Sequence, residues 1–123
     1  ADYCAGDVVT GWAYQFPCQY DYWQVPFWWQ RLLQDSLFAD HLKCRWENLR
    51  INKLTNAWFE NYVDSLATLL DEGQQRNFIK WPILGIYVWP NPQPIPTTYA
   101  GEIDALKSYL NSRLAWKKRI LRR

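Results

Sequence analysis

The sequence VPFWWQRLLQDSLFADHLKCRWENLR, residues 25–50, decides how the rest of this chain is interpreted. After Asp35 its apolar residues recur at helical spacing, on a face that comprises Phe38, Leu42, Trp46 and Leu49. Asp35 suits the helix N-cap because its carboxylate can accept backbone N–H groups of the first turn. Pro26 suits the first turn of a shorter helix, and residues 34–36 read as the corner between the two. The stretch predicts two consecutive helices whose aromatic side chains pack in a core.

Two later segments repeat the helical pattern. One follows Thr55 and the other follows Thr98, and both threonines are favourable N-caps. Their apolar stripes consist of Phe59, Tyr62, Val63, Leu66, Leu69 and Leu70, and of Ile103, Leu106, Leu110 and Leu114. We therefore predict a mainly α fold, with helices near 36–50, 56–71 and 99–119, a helical continuation over 74–80, and little or no sheet. Seven side chains are expected to be largely buried, namely Phe38, Leu42, Trp46, Phe59, Leu66, Leu106 and Leu110.

The connections are long, aromatic and rich in proline. Residues 1–24 show no sustained periodicity and are predicted to be irregular, before the helices of residues 25–81. Residues 82–97 contain five prolines and predict a stiff, extended strap ahead of the terminal helix, 98–121. Apolar residues interleaved with those prolines favour a structural strap over a ligand of an SH3-type domain. The whole chain, 1–123, is interpreted as one helical subdomain of three to four amphipathic helices.

Composition excludes several classes of protein. The 123 residues carry a net charge of +2, nine Trp and eight Tyr, and no apolar run is long enough for a transmembrane helix. Six of the basic residues lie in the last eleven positions, which suits a solvated helix C-terminus better than a phosphate- or lipid-binding tail. No nucleic-acid module is indicated. The chain has no Met and begins with Ala1, so we expect it to be a piece of a longer protein.

The cysteines and the single histidine do not predict a metal site. The three cysteines form no C-x-x-C pair and His41 is the only histidine, so a zinc site is not predicted. Cys44 is interpreted as a small buried residue of the helix. Cys4 and Cys18 are either bonded to each other or both free, and a bond would fit an extracytoplasmic compartment.

No motif for nucleophilic, metal-dependent or phosphate-loop chemistry occurs in the chain. Asp2, Asp7 and Asp21 lie in the irregular segment and are the only acids placed to approach a neighbouring site. The residues therefore predict no catalytic, cofactor-binding or metal-binding residue in this chain.

Three stretches nevertheless resemble the C-terminal region of CotH proteins, the spore-coat CotH-type atypical secretory kinases. They are FWWQRLLQDSLFADHLKCRWENLR, QQRNFIKWPILGIYVWPNP and TYAGEIDALKSYLNSRLAWKKRI. The opening ADYC and GDVVTGWAYQF are similar to the segment that follows the metal-binding aspartate motif of the family. The most specific parts are R-L-L-x-D at 31–35, R-W-x-x-L-R at 45–50, and I-D-x-L-K with R-L-A-W in the last helix. Gly73, Gly101 and the basic tail depart from the family pattern.

The resemblance implies a kinase-like fold in which the nucleotide-binding lysine and the catalytic and metal-binding aspartates precede such segments. No position here matches them, so ATP and Mg²⁺ are implied for the full-length family and not for this chain. We expect the chain to be the helical C-terminal subdomain of a bacterial, extracytoplasmic CotH-like kinase, inactive alone, whose partners are the N-terminal part of its parent chain and a protein acceptor substrate.

Two alternatives of other classes stay open. The first is a non-catalytic, Trp-rich helical module that binds a protein or a glycan. The second is a protein that binds a charged surface through its basic tail. Coding sequence upstream of Ala1 would separate the kinase hypothesis from the module, because the kinase requires an aspartate-containing metal motif there.

Overall fold

The structure, a computed structural model, describes residues 6–15, 26–89 and 91–120, with side chains in the last range described as far as Lys118. A short 3-10 helix, Ala13–Gln15, precedes five α-helices. These are α1 (Trp28–Gln34), α2 (Ser36–Asn52), α3 (Asn56–Leu69), α4 (Asp71–Lys80) and α5 (Tyr99–Ile120). No residue in the described ranges belongs to a β-strand, and the predicted mainly α fold is confirmed.

Three predicted N-caps are present. The Asp35 carboxylate accepts the N–H of Phe38 at 3.0 Å and opens α2. The Thr55 hydroxyl accepts the N–H of Trp58 at 3.0 Å and opens α3. Thr98 accepts the N–H of Gly101 at 3.0 Å, just before α5. Each cap satisfies a donor that lacks a partner within the helix, and this fixes where the helices begin.

The positions at which the helices end can also be compared with the sequence. α1 ends at Gln34 and α2 begins at Ser36, so the corner at 34–36 lies where it was predicted. α3 ends at Leu69, two residues earlier than predicted, and α4 begins at Asp71 and continues through Gly73. α4 ends at Lys80, because the residue before Pro82 is disfavoured in a helical conformation.

The chain divides into two compact units. The first comprises residues 1–54 and 113–123, and the second comprises residues 55–112. The interpretation of residues 1–123 as one subdomain remains a prediction.

In the second unit, polar side chains connect α3 to α5. Lys107 forms an ion pair and hydrogen bond with Asp64. The Asn111 side chain donates to Glu60 at 3.0 Å and accepts from Asn56, also at 3.0 Å. Glu60 and Asp64 are one turn apart on α3, as are Lys107 and Asn111 on α5. The two helices therefore meet through matched polar rows.

The prediction of which side chains are buried is wrong. None of the seven side chains named above is buried: Phe38, Leu66 and Leu106 are exposed, and Leu42, Trp46, Phe59 and Leu110 are half-buried. The buried apolar residues among those described are Val63, Leu114 and Trp116. The helical spacing is correct, but Leu66 is two residues from Asp64 and Leu106 is adjacent to Lys107, so neither shares the helix face that carries the polar contacts between α3 and α5.

Cys44 corrects a second expectation. It is a free thiol on α2 and is exposed rather than buried. Cys44 lies beside the apolar face of α2. Because that face is only partly covered, its neighbour Cys44 remains exposed. Cys4 and Cys18 lie outside the described residues.

Candidate functional site

The described residues expose many large apolar side chains. Exposed aromatic and aliphatic side chains of the second unit occur on α3, at the end of α4 and on the strap, residues 82–97. On and just before the strap they are Ile79, Trp81, Ile83, Ile86, Tyr87, Val88 and Trp89. Large exposed apolar patches mark interaction surfaces in soluble proteins, and these residues are close together in the chain. We call residues 79–89 the apolar edge.

The strap that carries most of the apolar edge folds back on itself. The Gly85 N–H donates to the Pro96 carbonyl at 2.9 Å. Gly85 has φ of +77°, a conformation that residues with a Cβ rarely adopt. A Cβ at this position would also lie 3.2 Å from Cγ2 of Thr97. Glycine thus permits the close approach that holds the two arms of the strap together.

A second exposed aromatic feature lies on α3. The rings of Trp58 and Tyr62 stack nearly parallel, with centroids 5.1 Å apart and planes 6° apart. The exposed fractions of the two residues are 43% and 51%, so one turn of α3 presents a flat aromatic platform to its surroundings. Phe59 meets Trp58 edge to face at 5.0 Å and supports it.

The first unit contains a different feature, a set of cations packed on indole rings. The Arg113 guanidinium lies 4.7 Å from the ring centroid of Trp116, and the Lys117 ammonium lies 4.9 Å from that of Trp46. Trp12 meets Trp116 edge to face at 5.5 Å. Both cation–ring separations are within the range of cation–π attraction. We call Arg113, Lys117, Trp46 and Trp116 the cation–indole cluster.

Burial changes the electrostatics of this cluster. Lys117 is half-buried, and desolvation, with a smaller contribution from Arg113, holds its pKa below the ordinary lysine value. Desolvation also lowers the pKa of Arg50, whose guanidinium lies 6.0 Å from the Trp46 ring centroid and donates to the carbonyl of Leu54. The indole Nε1 of Trp46 is buried, and none of the residues that the structure describes accepts a hydrogen bond from it.

The cation–indole cluster was missed in the sequence. The sequence predicts a solvated basic tail for Arg113 and Lys117, whereas the structure packs both against tryptophan rings. A signal was present, because Trp116 and Lys117 follow Arg113 by three and four residues, the spacings at which side chains on a helix are neighbours. The contact with Trp46 of α2 had no signal in the sequence.

Of the side chains considered for chemistry in the sequence, the structure describes Asp7 and His41. Asp7 and His41 are exposed, and Asp2 and Asp21 lie outside the described residues. Within 6–15, 26–89 and 91–118, no group of three or more His, Cys, Asp or Glu side chains is placed to hold a metal ion. None of the described helices combines the length and the apolar character needed to span a bilayer.

Comparison with known proteins gives one match. The family model described as CotH kinase protein matches residues 4–117 of the 123-residue chain. No curated protein and no solved structure shows detectable similarity to the chain.

Proposed function

The chain belongs to the CotH kinase protein family, and on that premise we propose that it is the C-terminal helical subdomain of a CotH-like secreted kinase. In this role it supports the catalytic segments of the parent protein and contributes a surface for the acceptor substrate. It is not catalytic alone. The proposed location is extracytoplasmic, in a bacterial cell envelope or secreted.

The exposed apolar surface carries this proposal. An isolated helical protein of this size would cover most of its aromatic side chains, yet Trp58, Trp81 and Trp89 are exposed by 43%, 60% and 66%. Because apolar surface is stabilised when it is removed from water, such residues favour a partner that covers them. The proposed partner is the N-terminal part of the parent kinase.

The cofactors implied by the family do not fit the described residues. Phosphoryl transfer requires a lysine that holds the phosphates, an aspartate near the acceptor hydroxyl and an aspartate that binds the metal. Among the described side chains, Asp64 is engaged with Lys107, and no metal-binding group is assembled. We therefore assign ATP and Mg²⁺ to the rest of the parent kinase and no catalytic residue to this chain.

Oxidative labelling of tryptophan tests the proposal. A CotH-family kinase that carries this chain as its C-terminal part should protect Trp81 and Trp89 relative to the 123-residue chain alone. Trp116, which is 8% exposed, serves as the internal control and should react slowly in both. Equal labelling of Trp81 and Trp89 in the two proteins would contradict the docking role.

A nucleotide test addresses the inactive state of the isolated chain. ATP with Mg²⁺ should leave its melting temperature unchanged, because a ligand that binds the native state would raise it. A reproducible rise that is lost in Asp7→Asn would show that part of a nucleotide site lies within this chain.

The Trp58–Tyr62 platform favours a second candidate function, a non-catalytic module that binds a protein or a glycan. Its parallel, exposed rings offer a flat apolar face. This candidate predicts that Trp58→Ala abolishes binding to a captured partner or oligosaccharide, while Trp81→Ala does not. The kinase-subdomain proposal predicts no ligand for the isolated chain at that platform.

A further inference from the structure

One side of α3 is apolar and exposed over about three helical turns. It consists of Trp58, Tyr62, Leu66 and Leu69, which follow one another at spacings of four, four and three residues. Side chains at these spacings lie on the same side of a helix. All four are exposed, and the exposed fraction of Leu69 is 78%. We call these four residues the exposed face of α3.

The charges of α3 lie on the other side of the helix. Within the sequence of α3 only Glu60 and Asp64 are charged, and they bind Asn111 and Lys107 of α5. Successive residues of an α-helix are rotated by about 100°, so Glu60 lies about 160° around the helix from Trp58. A second apolar surface can therefore approach the exposed face without meeting a charged side chain of α3.

Two polar residues beside the exposed face have already used their donors. The Ser65 hydroxyl donates to the carbonyl oxygen of Tyr62 at 2.8 Å, and the Thr68 hydroxyl donates to that of Asp64 at 2.9 Å. An apolar surface can cover both hydroxyls without leaving their donors unpaired. A glycan would instead need polar groups that are free to hydrogen-bond beside the aromatic rings. The flank of the exposed face therefore favours an apolar occupant.

The exposed face has large side chains at one end and smaller ones at the other. Trp58 and Tyr62 stack on each other in the first half of α3, and Leu66 and Leu69 follow in the second half. In an interface with a two-fold axis, residue i contacts residue j and residue j contacts residue i. Two antiparallel copies of α3 would therefore pack the aromatic rings of each copy against the leucines of the other.

We propose that the exposed face of α3 is a homodimer interface, covered by the same face of a second copy of this chain in antiparallel orientation. Tyr62 of each copy then packs against Leu66 of the other, and Trp58 packs against Leu69. The two helix dipoles run in opposite directions, which is favourable. One helix face is smaller than the about 800 Å² per partner of a standard interface, so the association is weak.

This dimer is independent of the proposed kinase role, because it leaves the apolar edge to the parent chain. The labelling of Trp81 and Trp89 tests docking to the parent, whereas the oligomeric state of the isolated chain tests the dimer. Either one can therefore fail without the other.

Sedimentation equilibrium of the full 123-residue chain, from about 10 µM to about 1 mM, should show a monomer–dimer equilibrium. Leu69→Glu should raise the dissociation constant about tenfold or more, because it places a charge in an apolar contact. Ile79→Glu is the matched control, since Ile79 is 82% exposed and lies on the apolar edge. It should leave the dissociation constant unchanged. Circular dichroism of both variants should show the helix content of the parent chain.

A charge-pair experiment tests the antiparallel orientation. Tyr62→Asp and Leu66→Lys should each weaken self-association. An equimolar mixture of the two variants should recover a heterodimer, because antiparallel packing brings the introduced carboxylate beside the introduced ammonium. Parallel packing would place position 62 opposite position 62, and mixing would then give no recovery.

Several outcomes would overturn the proposal. They are a chain that stays monomeric up to about 1 mM, equal weakening by Leu69→Glu and Ile79→Glu, and no recovery in the mixture. A monomeric chain that binds an oligosaccharide, with binding lost in Trp58→Ala, would assign the exposed face to a glycan. A monomeric chain whose Trp58 is protected from oxidation only in the parent kinase would assign it to the parent.

Discussion

Arg113 donates a hydrogen bond to the carbonyl oxygen of Val9, 2.9 Å away, although the two residues are 104 positions apart in the chain. The same turn of α5 holds Trp116, which receives Trp12 edge to face. These contacts join the described N-terminal segment, residues 6–15, to α5 within the first unit. A segment with little regular structure is thus fixed by contacts with a helix from the other end of the chain.

This contact predicts a specific loss of stability. Arg113→Lys should lower the free energy of unfolding by about 1–2 kcal/mol, because the hydrogen bond from the guanidinium to the Val9 carbonyl is broken. Urea unfolding measures the change, and amide hydrogen exchange should rise over residues 6–15. Arg45→Lys, at an exposed position of α2, is the matched control and should have almost no effect. Unchanged exchange at residues 6–15 would contradict the contact.

The N-cap of α2 gives a second prediction. Asp35→Ala should destabilise the protein by about 1 kcal/mol, because the Phe38 N–H loses its acceptor. Asp35→Asn should retain most of the stability, since asparagine is also a good cap. Asp40→Ala removes an exposed charge within α2 and serves as the control. Thermal unfolding of the three variants would refute the cap if Asp35→Ala and Asp40→Ala behaved alike.

The pair between Asp64 and Lys107 predicts a pH dependence. The hydrogen bond with Asp64 raises the pKa of Lys107 above its ordinary value of 10.5, and nearby acids add to the effect against a smaller opposing desolvation. A raised pKa means that the folded state holds the proton more tightly, so this stabilisation is complete below pH 10.5 and is lost as the pH rises through the folded-state pKa.

Asp64→Asn should therefore lower the melting temperature at neutral pH, and the difference from the parent chain should shrink once Lys107 loses its proton. Because both proteins contain the same tyrosines, the effect of tyrosine ionisation on the melting temperature cancels when the two are compared at the same pH. A difference that stays constant across the alkaline range would show that the ion pair contributes nothing to stability.

Lys117 predicts the opposite trend. Burial first, and Arg113 second, lower its pKa below 10.5, so in the window between the two values the unfolded chain binds more protons than the folded chain. Stability from this group consequently rises with pH through that window. The melting temperature of the parent chain relative to Lys117→Gln should increase as the pH approaches 10.5. Lys118→Gln, at an exposed position of α5, should show no such rise, and a flat difference for Lys117→Gln would contradict the burial of the ammonium.

Local interactions explain what was predictable from the sequence. Asp35, Thr55 and Thr98 mark helix starts because the donors that they satisfy lie three residues away. The corner at 34–36 and the end of α4 before Pro82 depend on equally short segments. The resemblance to CotH proteins also came from contiguous stretches of sequence, and the family match confirms it.

The candidate sites were less predictable, because they depend on what lies opposite each residue. Periodicity placed Leu66 and Leu106 on apolar stripes, but it did not show that α3 and α5 meet through Asp64 and Lys107. It also did not show that Lys117 of the basic tail packs on Trp46. Spacing along a helix defines its faces and leaves open which of them is covered.

The sequence by itself determined the helical fold class, the helix starts and the family, because each is encoded by residues within a few positions of one another. Only the tertiary structure decided which side chains are buried, that Cys44 is exposed, and that Arg113 and Lys117 lie on indole rings. Burial and cation–ring contacts require groups that are distant in the chain to meet, and their energies depend on the water that each contact excludes.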